Sequence, residues 1–271
     1  HYTVNENPGN MNGFFDLFSY YKLNDEPDAL YQYMRYAMAY IHSFRNPQGG
    51  GSPSLRTAGR LINLSDSVRY WVDEYDVVPT DVFIGIIKHI WSLLDYFSQE
   101  KNFDPSFNFG IYQSRGLLVG ALHFEEDFAR GKEWLDLALS RLVLLTESTM
   151  FEDGSSVEAA MSYTRDSINL LLSPFDYFQS VGRDISTVDL PQEYIDNLHK
   201  HAKYVMDMTY NLYDPQYGDT TNYKIRFDLP NLMKRFPQDN FLWVSTNGKK
   251  GTPPDYTSVL YPAGGKLVMR S

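Results

Sequence analysis

The chain contains no cysteine. That excludes a disulfide framework and any thiolate metal site. Positive charge is also scarce: 24 Lys and Arg stand against 34 Asp and Glu, a formal net charge of −10. Such a chain lacks the broad basic face that general nucleic-acid or membrane-surface binding requires, and neither partner is expected. A few Arg and Lys gathered in one place would still hold an anionic small molecule or polysaccharide. Long apolar runs are missing as well, none approaching the roughly 20 residues of a membrane span. The first residues lack the basic and apolar regions of a signal peptide, so an exported protein would already have lost its leader. A periplasmic or secreted location is the expectation.

Metal-ligand spacing is nearly absent from the six histidines. Only His199 and His201 lie close together, and two residues apart on a helix they do not face one another. Both are expected on the surface, and no metal is expected. His123 is read as local electrostatics beside Glu125 and Glu126. Nothing points to a nucleotide or organic cofactor.

Aromatic residues, by contrast, are plentiful, with 21 Tyr and 17 Phe among 271 residues. Most must be core. Some could line a sugar-binding groove, where flat faces stack on pyranose rings and phenols bond to hydroxyls.

Hydrophobic periodicity dominates the pattern and predicts a mostly α protein. Residues 1–25 read as an irregular lead-in. A first helix is expected over 26–44, with Leu30, Met34, Met38 and Ile41 on one face. A Gly/Pro-rich loop follows at 45–53. Ser54 is placed to cap a second helix reaching about Tyr75, on which Arg56, Arg60 and Asn63 form a polar stripe. The third starts at Thr80-Asp81 with Ile84, Ile87, Ile90 and Leu94 inward. Further helices are expected at 104–122, 126–149, from the Asp-Gly turn to about Val181, and from Pro191 to about Leu212. Seven amphipathic helices joined by short loops pack most naturally as antiparallel hairpins. The 240–246 segment reads as a short strand or a helix end, and Leu267-Val268-Met269 reads as a strand. The chain stops inside that strand, so a following domain is expected to be cut off or left out.

One stretch carries a chemical assortment in place of a packing pattern: 151–165, Phe-Glu-Asp-Gly-Ser-Ser-Val-Glu-Ala-Ala-Met-Ser-Tyr-Thr-Arg. An Asp-Gly turn leads past two serines suited to capping into a helix carrying Glu158, Tyr163 and Arg165. Small neighbours leave room beside the Tyr163 ring, and a phenol near a cation is a usable proton donor or acceptor.

Asn108-Phe109-Gly110, then Asp153-Gly154, Glu158 and Ser162-Tyr163, then Tyr217-Gly218-Asp219, and the closing run from Pro262 through Gly264, Gly265 and Lys266 occur in one order. Together with Ser54-Leu55-Arg56-Thr57-Ala58-Gly59-Arg60, this ordered set resembles the N-terminal helical domain of heparinase II/III-type polysaccharide lyases, relatives of alginate lyases. The resemblance covers most of residues 50–271. It implies an incomplete α/α toroid over 1–239, with 240–271 as linker and first strand of a β-sandwich domain that contacts it. The implied reaction is β-elimination at a uronic acid in an acidic, glycosaminoglycan-like polysaccharide. The resemblance places the carboxylate-neutralising amide on Asn108 and the general acid/base on Tyr163. Arg56, Arg60, Arg115, Glu158 and Arg165 are candidate substrate contacts. Two departures stand out. Phe109 follows Asn108 where many alginate-lyase relatives have His. A further His that such proteins draw from the β-sandwich lies outside this chain, so the chain alone is expected to form an incomplete site.

Plainer readings accompany each residue. Asn108 also suits a helix start beside Ser106, and most Tyr at helical spacing are core. Glu158 could simply support Arg165, and Arg56 and Arg60 could be a solvated helix face. Two rival functions remain: a toroidal glycoside hydrolase pairing Asp153 with Glu158, and a non-catalytic glycan-binding helical domain.

Overall fold

The computed structural model describes residues 27–43, 55–74, 80–106, 108–183, 190–209, 235–236 and 238–269. The lead-in, the 45–53 loop, the Ser54 cap and the Tyr217-Gly218-Asp219 segment lie outside the described residues, as does the Arg56 side chain. The described helices are α1 (Pro27–Ser43), α2 (Leu55–Glu74), α3 (Thr80–Ser98), α4 (Asn108–Phe124), α5 (Gly131–Thr149), α6 (Met161–Ser180), α7 (Gln192–Met208) and α8 (Asp239–Ser245). Strands β1 (Ser258–Tyr261) and β2 (Lys266–Met269) close the order. The mostly α expectation holds.

Several boundaries have local causes. Helix α4 begins at Asn108, four residues later than expected. Asp104 instead donates its N–H to the Gln113 side chain at 2.9 Å. Helix α5 waits until Gly131, whose α-carbon sits so near the Phe124 and Glu125 carbonyls that a Cβ would come within 2.6 Å of them. Pro174 lies inside α6. It cannot donate to Leu170, and the Ser173 hydroxyl takes over that carbonyl at 2.7 Å. Gly182, at φ 74°, ends the helix, while Arg183 and Gly182 donate back to Phe178 and Gln179. The segment at 240–246 is helix for most of its length, which settles the strand-or-helix alternative.

The chain forms two compact units, one of residues 1–104 and 112–138, the other of 105–111 and 139–271. In the first, α3 turns Ile86, Ile90, Leu93 and Phe97 inward. Ile84, expected inside, is 45% exposed. The stripe starts two residues later, which on a helix is more than half a turn away. Arg60 corrects the expectation of a solvated polar stripe: it is 1% exposed. Burial first, and the nearby Arg60 charge second, push the His89 imidazole down to about 4. His123 is paired with Asp66, Nε2 to Oδ1 at 2.7 Å, and not with Glu125 or Glu126. Its carbonyl accepts from the Arg69 guanidinium, which also pairs with Asp127.

In the second unit α6 packs on α7 around Phe178, Tyr194, Leu198 and Tyr204. β1 and β2 form an antiparallel hairpin in which Leu260 pairs with Leu267 and Tyr261 with Lys266. Tyr261 points inward. Its hydroxyl donates to the buried Asp207 carboxylate at 2.6 Å, and Tyr256 donates to the other oxygen at 2.7 Å. Lys203 completes the cluster at 2.7 Å.

Candidate active site

Between α5 and α6 the chain makes a tight reversal. Met150 and Ser156 form an antiparallel bridge. Phe151 donates to Ser155 at 2.8 Å and Gly154 to Phe151 at 2.9 Å. Gly154 occupies φ 85°, where only glycine is comfortable, and an added Cβ would lie 2.5 Å from the Lys200 carbonyl oxygen. The Asp-Gly turn predicted here is present.

The two serines do not cap the following helix. Ser155 is held by Asp153, and the Ser156 hydroxyl accepts the Glu158 N–H at 3.2 Å. Helix α6 starts at Met161, after Ala160, which offers no side-chain cap. Glu158 therefore lies on the loop before the helix, not on it. Its side chain is exposed and its hydrogen bonds run through its main chain, so a supporting pair with Arg165 does not form among the described residues.

This loop forms one wall of a cleft of about 300 Å³ whose lining includes Asn108, Ser156, Val157, Glu158, Tyr163 and Ser167. Asn108 is the first residue of α4 and half-buried. Tyr163 is the third residue of α6, and 41% of it is exposed. An amide donor and a phenol thus share one cleft, each in the first turn of its helix. The partial positive charge of helix starts favours a carboxylate there. Phe109 is turned outward and partly exposed.

The remaining candidates fall elsewhere. Arg165 is 5% exposed. Two residues on from Tyr163, it points to the far side of α6, and it is not among the cleft-lining residues. Arg56, Arg60 and Arg115 belong to the first unit.

Asp153 and His201 take roles that the sequence reading missed. Asp153 Oδ1 accepts the N–H of Ser155 at 3.0 Å as well as its hydroxyl, while Oδ2 accepts the N–H of Ala263 at 2.9 Å. Partial burial would raise its pKa, but hydrogen bonds from Ser155, Ala263 and Gly264 outweigh it and hold the carboxyl below its ordinary range. An ionised carboxylate with both oxygens engaged is a poor general acid, so Asp153 does not suit the acid half of a pairing with Glu158. The short Asp-Gly-Ser spacing was the available signal, since such residues bond their own backbone two positions on. His201, expected on the surface, is 1% exposed. Its Nδ1 bonds the Gly154 carbonyl at 2.8 Å. Burial pushes the imidazole down to about 4 despite hydrogen bonds to Gly154 and Thr164. Among the described residues, no group of three or more His, Asp or Glu could hold a metal ion, and no helix is long and apolar enough to cross a membrane.

Solved structures share this architecture. The chain matches a crystal structure of heparinase III with a TM-score of 0.75 at 15% identity, over 92% of this chain and 40% of that one. It matches heparan sulfate lyase HepC from Pedobacter heparinus at 0.71 and 16% identity, over 96% of this chain and 42% of that one. Those likenesses show the fold class, a mostly α chain of the incomplete α/α toroid type. The sequence adds the family. The chain belongs to the family described as Heparinase II/III N-terminus, whose model matches residues 52–243. A heparin-sulfate lyase of Bacteroides stercoris is 21% identical over 225 residues, 80% of this chain and 32% of that protein. The chain spans about a third of that relative's length.

Proposed function

We propose that this chain is the helical part of a polysaccharide lyase that cleaves a uronate-containing, glycosaminoglycan-like chain by β-elimination. The carrying observation is that Asn108 and Tyr163 line one cleft. The names of the relatives, heparin-sulfate and heparan sulfate lyases, favour that substrate class. In the reaction the Asn108 amide donates to the C5 carboxylate as negative charge builds on it, lowering the barrier to loss of the C5 proton. Electrons from the C5–H bond form the C4–C5 double bond, and the C4–O4 bond breaks. Tyr163 acts as general acid/base: its phenolic oxygen takes the C5 proton and then returns a proton to the leaving O4 oxygen. Glu158, on the cleft wall, bonds sugar hydroxyls. Arg56 and Arg115 are proposed as substrate contacts. Buried Arg60 and Arg165 would contribute by supporting the helices that carry other contacts.

A β-sandwich domain completes this reading. The outer face of the hairpin exposes Leu260, Leu267 and Met269, an apolar strip suited to packing against the second sheet of a sandwich. Secretion or a periplasmic location fits an extracellular polysaccharide substrate.

The test is ultraviolet absorbance of a 4,5-unsaturated uronate, measured with the intact protein on heparan sulfate, heparin, chondroitin, hyaluronan and alginate. Absorbance that disappears in Tyr163→Phe supports the lyase. Reducing ends released without that absorbance would mean hydrolysis. Binding without any product would mean a glycan-binding domain.

A further inference from the structure

We propose that Asp153 is a positioning residue, clamping the cleft wall formed by Ser156, Val157 and Glu158 to the turn of the C-terminal hairpin; the proposal rests on the lyase reading of that cleft. The wall is a loop, and loops drift unless their backbone is tied. Here the ties converge from two sides. On one side, α7 approaches so closely that Gly154 leaves no room for a Cβ beside Lys200, and buried His201 holds the Gly154 carbonyl. On the other, Asp153 gathers the Ser155 N–H and hydroxyl with one oxygen and the Ala263 N–H with the other. The hairpin turn is pressed against the loop as well: a Cβ on Gly264 would lie 2.3 Å from the Ser155 hydroxyl and 2.8 Å from its Cβ.

The turn is itself anchored. Tyr256 and Tyr261, the latter in β1, donate to the buried carboxylate of Asp207 on α7. The sequence of contacts therefore runs from α7 through Asp207, Tyr261, the 262–265 turn and Asp153 to Ser155, next to the cleft-lining Ser156. Asp153 touches none of the reacting atoms in this scheme. Its effect is on where Ser156, Val157 and Glu158 meet the sugar, while Asn108 and Tyr163 sit on helices that it does not hold. Substrate binding should suffer more than the chemical step.

Asp153→Asn keeps the size but places an amide N–H where a donor already points. Gly264→Ala pushes on Ser155 from the opposite side, and Ser155→Ala removes one tie with little risk to folding. In the intact protein, the expected result for Asp153→Asn and Gly264→Ala is about a tenfold rise in KM for heparan sulfate with kcat within about threefold. Faster hydrogen exchange at the amides of 155–158 should accompany it. Ser155→Ala should move both readouts the same way by a smaller factor, and it carries the test where either of the others fails to fold. A lower melting temperature with unchanged KM and unchanged exchange would overturn the proposal, as would a loss confined to kcat. If the wild type forms no unsaturated product, the lyase reading fails by itself. The clamp is then judged on exchange and on calorimetric binding of a heparan sulfate oligosaccharide, where an unchanged Kd in all variants overturns it.

Discussion

The Asp153 carboxylate accepts the main-chain N–H of Ala263 at 2.9 Å, joining residues 110 positions apart. That bond ties the loop beside the cleft to a hairpin that the sequence presents as the start of another domain. The same carboxylate also organises its own turn through Ser155, so one side chain sets both the shape of the loop and its place.

The amide and the phenol should be separable from the rest of the cleft. Tyr163→Phe should lower the rate of unsaturated-product formation by roughly 10²–10⁴, and Asn108→Ala by roughly 10²–10³. Neither should shift the thermal midpoint much, since Asn108 is half-buried and Tyr163 is exposed. Rates and melting curves measured on the same preparations check this. Full activity in Tyr163→Phe would sink the assignment.

Arg165 should behave differently. It is buried, and Arg165→Ala is expected to destabilise the fold by roughly 3 kcal/mol by stripping a buried charge and its packing. Urea denaturation reads that directly. A variant as stable as wild type but with weakened substrate binding would return Arg165 to the role of a direct contact.

Acid should weaken the protein through two histidines. His89 and His201 are both pushed down to about 4 from an ordinary value near 6.5. The unfolded chain therefore takes up these protons first as pH falls. Stability is full above about 6.5, declines between about 6.5 and 4, and levels off below as far as these groups are concerned. Each contributes up to about 3 kcal/mol over that window. Denaturation midpoints across pH 4–7, compared with those of His201→Gln, test the contribution. An unchanged pH slope in the variant would show that His201 is not a source of it.

Gly154→Ala is expected to cost about 1–3 kcal/mol, because φ 85° is strained for alanine and the Lys200 carbonyl blocks its Cβ. Asp207→Asn should cost roughly 2–4 kcal/mol, since an amide cannot accept from Tyr256, Tyr261 and Lys203 as the carboxylate does. In the second variant, amides of the hairpin strands should lose protection from exchange before those of α6. Uniform loss across the unit would argue against a local anchor.

Helix existence was legible because the signal is local. Apolar spacing marked the existence of α1 to α7, and the Asp-Gly turn needed no tertiary knowledge. The ends were harder to place. Glu158 looked helical because two serines suited to capping precede it, yet the helix waits for Met161, because Ser155 and Ser156 spend their hydroxyls inside the loop. Ile84 and Ile86 are equally apolar, and only packing decides which of them faces in.

The candidate site divides in the same way. An ordered set of residues pointed to Asn108 and Tyr163, and the fold sets both on one cleft. Arg60 and His201 were misread because burial is a property of neighbours: a guanidinium or an imidazole looks the same in sequence whether water or protein surrounds it. Asp153 was misread because its partner Ala263 lies 110 positions away. The sequence by itself determined the helical class, the acidic surface and the residue types available for chemistry, since these follow from composition and from periods shorter than ten residues. Tertiary structure alone decided that Asp153 is an anchor, that His201 lies inside, and that the hairpin braces the cleft. Those outcomes depend on contacts between residues tens to more than a hundred positions apart, where no local pattern carries information.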